Sequence, residues 1–169
     1  MRVGPWLLVA ALVWGCGYRF VGGDASLPGV RSVAIETPRN ESFEPGIEFV
    51  VADALRRELL RRGGAALTEE PGGADLVISG RVAGLKSRAR SLSSVALALE
   101  YEVRVSLELV TRGRDGEALG VSEDVFAETE RYLSSADVEV ERKNRDEAVR
   151  RVASVLAARY LDEIGRAHV

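Results

Sequence analysis

The sequence predicts a two-layer α+β sandwich: a four-stranded, mostly antiparallel sheet with two helices on one face, in the order β-α-β-β-β-α. Three observations predict it. Between Val95 and Leu109 apolar residues fall on every second position, the mark of a strand with one face on a core and one in water. Two stretches, 46–62 and 143–164, instead repeat their apolar residues at helical spacing. Glycine- and proline-rich steps separate these runs, so each stands as an element of its own.

The elements follow in order. A short β-prone run gives a strand at 30–37, which Pro38 to Pro45 breaks. Pro45 suits a first helical position, where its missing N–H costs nothing. Ile47, Val50, Val51, Ala54, Leu55 and Leu59 then line one helix face. Asp53, Arg56, Arg57, Arg61 and Arg62 fill the water-facing side, and Gly63-Gly64 ends the helix. A short extended piece fits 65–68, and a second strand runs from Asp75 into the 80s.

The third strand is the clearest. Val95, Leu97, Leu99, Tyr101, Val103, Val105, Leu107 and Leu109 share one parity, and Glu100, Glu102, Arg104, Ser106 and Glu108 the other. At ~3.4 Å per residue it spans about 50 Å, so the sheet outruns its helices or bends. Arg114-Asp115-Gly116 signals a hairpin into a fourth strand, 118–131, where Phe126 falls out of phase with Val121 and Val125 and suggests a bulge. After a polar loop at 134–141, the last helix carries Ala148, Val149, Val152, Leu156, Tyr160 and Ile164 on one stripe. Asp146 and Glu147 suit its N-terminal dipole, and Gly165 its end.

Ahead of this domain, Arg2, an apolar run from Val3 to Val13 and the close Val13-Trp14-Gly15-Cys16 form a secretory leader. The run is short of the roughly 20 residues a spanning helix needs. An aliphatic residue, then Gly, then Cys resembles the bacterial lipobox, which implies a diacylglycerol thioether on Cys16 and cleavage before it. The expected organisation is a signal peptide at 1–15, a lipidated tether at 16–29 and one domain at 30–169. Gly17, in place of the Asp of inner-membrane retention, favours the outer membrane.

Composition narrows the chemistry. The formal charge is −3, and Lys86 and Lys143 are the only lysines among 23 basic residues. There is neither a basic nucleic-acid footprint nor an acidic tail. The one histidine, His168, lies next to the end of the sequence, and the one cysteine is taken by the lipid. That leaves no His-based acid–base catalysis, no common zinc site and no cofactor motif. An enzyme working with carboxylates alone is the residual catalytic reading. Asn40-Glu41-Ser42 fits a glycosylation sequon but reads better as a turn.

Several segments together resemble the LPS-assembly lipoprotein LptE family. These are Cys16-Gly17-Tyr18-Arg19-Phe20, Leu27-Pro28-Gly29 leading into the first strand, Asn40 to Glu48 before the first helix, and Ala74-Asp75 to Gly80 at the second strand. Tyr101-Glu102-Val103 and Glu147-Ala148 add to them. The resemblance implies a non-catalytic plug within an LptD-like outer-membrane β-barrel, anchored by its N-terminal lipid. It also implies help in barrel assembly and contact with lipopolysaccharide on its way to the cell surface. Lys86, Arg88 and Arg90 share one strand parity and form the cationic cluster outside the helices. They are the candidate lipopolysaccharide contacts, against the alternative of a charged strand end that resists aggregation. A lipoprotein of another envelope system, serving a lipid-transport ABC system or activating cell-wall synthesis, is the competing function.

Overall fold

The computed structural model describes residues 27, 29–92, 98–119 and 126–167. The elements are β1 (Ser32–Ile35), β2 (Arg39–Asn40), α1 (Ile47–Arg62), β3 (Ala66–Thr68), β4 (Leu76–Leu92), β5 (Ala98–Gly113), β6 (Phe126–Leu133) and α2 (Val138–Ala167). The α+β class and both helices match the sequence reading, but the sheet is mixed and larger than four antiparallel strands. Its order is β3-β1-β4-β5-β6, with β2 pairing β4 beyond the end of β1. β1 runs parallel to both β3 and β4, whereas β4–β5 and β5–β6 are antiparallel.

The two extra strands lie where a turn and a short piece were expected: β2 inside the Pro38–Pro45 break, and β3 at the extended piece. The predicted strand from Asp75 continues to Leu92. At ~3.3 Å per residue β4 spans roughly 55 Å, while the 16 residues of α1 cover about 24 Å. The sheet therefore projects well past α1. The 30-residue α2 reaches further, and its Asn144 donates to the Leu133 carbonyl at the end of β6.

Both helices pack on one face of the sheet. Val33 and Ile35 of β1, Leu76, Ile78 and Val82 of β4, and Val103, Val105, Leu107 and Leu109 of β5 meet α1 and α2 in one cluster. The expected buried parity of β5 holds for these four residues, and Val95 and Leu97 lie outside the described ones. Each such side chain, removed from water, contributes about 1.5–3 kcal/mol. Tyr160 of α2 sits at the centre. Its hydroxyl shares a 2.9 Å hydrogen bond with Thr111, and its ring meets the edge of Phe126 at 5.5 Å. Phe126, Glu128, Glu130 and Tyr132 all face the helices, so Phe126 is in phase with its own strand; Val121 and Val125 lie outside the described residues.

The helix ends differ from expectation in three ways. Gly46, at φ 84°, is the N-cap of α1, so Pro45 sits in the preceding turn. α2 begins five residues before the expected start at 143, because Asp137 accepts from the amides of Glu139 (2.9 Å) and Val140 (3.3 Å) and caps it there. Glu139 and Glu141 are accordingly its first-turn acids, Asp146 and Glu147 lie inside it, and Gly165 is helical. Arg62 is also buried, contrary to its expected water-facing place. It binds Glu58 on its own helix and Asp162 and the Ala158 carbonyl on α2, which locks the two helices together.

Candidate functional site

The motif residues that read as family markers turn out to hold connections. Asp75 accepts the amides of Arg31 (2.9 Å) and Ser32 (3.1 Å) and an Arg114 guanidinium (2.7 Å), fixing the start of β1 against β4. The backbone amides, Arg31 first, hold its carboxyl below the usual range. Gly80 lies where β4 and β5 draw together: a Cβ there would stand 2.1 Å from the Glu108 carbonyl oxygen. Asn40 forms the turn expected of it. Its amide donates to the Glu44 carbonyl and to Glu48, and its oxygen accepts from Ser42. Glu44 then pairs with Arg145 of α2 through both carboxylate oxygens. These residues build the fold and leave no donor set for a ligand.

The outer, helix-free face of the sheet is different. From the chain-entry end toward the projecting tip, the cross-strand rows of β4 and β5 are Val77/Arg112, Ser79/Val110, Arg81/Glu108, Gly84/Ser106, Lys86/Arg104, Arg88/Glu102 and Ser91/Glu100. Midway, charge is balanced: Arg81 binds Glu108 at 2.6 Å and Glu41 at 2.6 Å. Beyond Gly84 it is not. Lys86 and Arg104 stand directly opposite each other, an arrangement that destabilises an isolated sheet. Arg131 of β6 flanks the next row beside Glu102.

A β-bulge creates this face. The β4–β5 register shifts between Val82 and Gly84, leaving Ala83 as the extra residue. Before the bulge the even positions Leu76, Ile78 and Val82 face the core; after it Leu85 packs toward the core and the even Lys86 and Arg88 face out. Without Ala83 the two cations would point into the helices. A second shift between Ala89 and Ser91 puts Arg90 in a bulge, so the three predicted cations do not form one regular row.

Arg88 and Arg90 both engage Glu102. Nε and Nη2 of Arg88 donate to Oε1 at 3.0 and 2.8 Å, and Arg90 lies 3.4 Å from Oε2. Glu102 is only 8% exposed although it faces away from the core, because the arginines lie over it. The hydrogen bond from Arg88 holds its carboxyl below the usual range. Of the predicted trio, then, the structure joins two through a carboxylate expected to be plainly solvated. It sets the third, Lys86, against Arg104, which the sequence reading had placed merely on the wet side of its strand. The signal that would have found Arg104 is the strand register, which composition does not carry.

Among the described residues no group of three or more His, Cys, Asp or Glu could hold a metal ion, and no helix is long and apolar enough to cross a membrane. The grooves described are open, at about 170–560 Å³, and none gathers Lys86, Arg88 and Arg104. Cys16 and His168 lie outside the described residues. What the projecting outer face presents is a set of side-chain cations, Lys86, Arg88, Arg90 and Arg104.

Comparison with known proteins gives a family and a fold. A family model described as LptE, lipopolysaccharide-assembly, matches residues 30–164. No curated protein matches the sequence. The fold is similar to the solution structure of the uncharacterized lipoprotein B from Nitrosomonas europaea, with a TM-score of 0.56 and 17% identity over 86% of this chain and 88% of that one. It is also similar to a hypothetical protein of Chlamydia trachomatis, with a TM-score of 0.53 and 9% identity over 80% and 98% of the two chains. A minor lipoprotein of Acinetobacter baumannii aligns with a TM-score of 0.50 and 17% identity over 81% and 92%.

Proposed function

Since the chain belongs to the LptE lipopolysaccharide-assembly family, we propose that it partners an LptD-like outer-membrane β-barrel as a plug. In that place it assists barrel assembly and contacts lipopolysaccharide on its way to the cell surface. It does so as a binding and structural protein, not as an enzyme, held to the outer membrane by a lipid on Cys16. Lys86, Arg88 and Arg90, joined by Arg104, are the contacts to lipopolysaccharide phosphates.

One observation on this chain carries the ligand half of the reading. Lys86 and Arg104 are cross-strand neighbours of like sign on a face the helices leave open. Such a pair is unfavourable in the free protein and becomes favourable once an anion bridges it. Arginine suits the task, since its fork matches two phosphate oxygens at once. The family membership carries the barrel half.

Affinity pull-down of the acylated protein from solubilised outer membrane tests the barrel partnership. Recovery of a large β-barrel supports it, and recovery of other envelope machinery, such as a lipid-transport ABC system, overturns it. Replacing Lys86, Arg88 and Arg90 with Glu should weaken lipopolysaccharide binding at low salt while fold and barrel recovery persist. Normal binding by that variant removes the site assignment. Intact mass of membrane-extracted protein should show a start at Cys16 plus lipid, and a soluble protein with a free thiol would end the anchor.

A further inference from the structure

We infer that Glu102 is a built-in counter-ion that competes with the anionic ligand for Arg88 and Arg90. It thereby makes the outer face selective for multiply charged phosphates. The inference rests on the anion-binding reading above and adds a regulator to it.

The geometry argues for competition. Arg88 spends its Nε–Nη2 edge on one carboxylate oxygen, and that edge is the one a guanidinium presents to a phosphate. Arg90 contacts the other oxygen at 3.4 Å, longer than a good hydrogen bond. One carboxylate therefore occupies two cations without satisfying either fully. The Arg88 side chain is 70% exposed, so an incoming anion meets no steric barrier. The Arg88 guanidinium is largely in water, so it can exchange partners, yet its pairing with Glu102 suffices to lower affinity several-fold.

The number of charged groups decides which anions succeed. An anion with one charged group, a carboxylate or a sulfate, takes the place of Glu102 on Arg88 and reaches little else. A ligand with two or more phosphate charges can engage Lys86 and Arg104 in the neighbouring row at the same time, and so offset displacement of Glu102. Arg131, on the strand beyond, adds to the field that favours such a ligand.

The test uses the full acylated protein in detergent at low salt, titrated with lipopolysaccharide and separately with tripolyphosphate and sulfate. Glu102→Gln should tighten lipopolysaccharide and tripolyphosphate about three- to fivefold, and sulfate by more, so that the preference for polyphosphate shrinks. Glu100→Gln, on the same face one row nearer the tip, removes the same charge but frees no guanidinium and should tighten binding less. In an Arg88→Gln background, Glu102→Gln should tighten binding less than it does in the parent, because the guanidinium it would free is gone. Unchanged or weaker binding by Glu102→Gln, or equal tightening with and without Arg88, overturns the inference. If tripolyphosphate tightens but lipopolysaccharide binds neither protein, the counter-ion stands and the lipid ligand falls. If lipopolysaccharide binds the parent and Glu102→Gln equally, the reverse holds.

Discussion

The two halves of the β4–β5 hairpin are built from the same strands and do opposite work. Near the chain-entry end, both helices and β1 surround it, and Leu76, Ile78, Val82, Leu107 and Leu109 are at most 3% exposed. Its outer face there is electrically settled by Arg81 between Glu108 and Glu41. Past Gly84 the hairpin has lost β1, β2 and α1, keeping β6 and the N-terminal half of α2. Its outer face carries cations in excess of carboxylates, with Lys86 facing Arg104. Both halves bury their inward side chains; on the outward face the near half is charge-balanced and the projecting half is not.

The largest blow to this division comes from inside the buried parity. Val103→Asp places a carboxylate at a position with no exposed surface and should cost several kcal/mol, out of roughly 5–15 for a domain. A urea melt would show it, and a loss under 1 kcal/mol would mean the face is assigned wrongly. Tyr160→Phe strands the Thr111 hydroxyl and should cost about 1–2 kcal/mol.

Tyr160 also carries a pH signature. Burial pushes its phenol up to about 12 from 10.0. The folded state thus favours the protonated ring, and stability is complete below pH 10. It then falls as pH rises toward 12, by roughly 1.4 kcal/mol per unit. Chemical denaturation across that range should lose this slope in the Phe variant.

A smaller effect joins the halves. The Arg145 hydrogen bond holds the Glu44 carboxyl below its ordinary 4.5. Their pair contributes stability above that value and loses it as pH falls through the lowered one. Arg145→Gln should cost at most about 1 kcal/mol near neutrality and flatten the acid limb of a stability–pH curve. The smallest change is Arg104→Asp, one residue from Val103. It replaces a repulsion from Lys86 with an attraction, so stability should stay within about 0.5 kcal/mol of the parent or rise. A loss as large as that of Val103→Asp would abolish the distinction between faces.

The core-facing side was the legible one. Val103 to Leu109 announce themselves by strict alternation, and α1 by its apolar stripe, because burial on one side imposes a period on the chain. The outward face of the projecting half was only partly legible. Lys86 and Arg88 stand out as cations, but their outward direction depends on the extra residue Ala83, and one bulge reverses every assignment after it. Glu102 looked solvated because nothing in a lone strand shows which arginines lie across from it. β2 and β3 have two and three residues, too few to carry any period, and their parallel pairing is settled by distant segments. α2 starts earlier than its stripe because Val138 and Val140 are exposed, so capping and not burial defines that end. Arg62 is hidden by a second helix that its own sequence neighbourhood does not mention.

The long hairpin has a kinetic consequence. Its pairs begin with Leu92 and Ala98, six residues apart, and zip down to Leu76 and Gly113 without needing any other element. β1 must instead find partners 34 residues away at Ala66 and 43 away at Leu76, each across the α1 crossover. Closing those loops costs entropy before any contact repays it. The antiparallel hairpin is therefore the natural nucleus and the parallel edge the late arrival. A chain stalled between the two steps would expose the side of β4 that β1 normally seals, a hydrogen-bonding edge open to other unfinished chains.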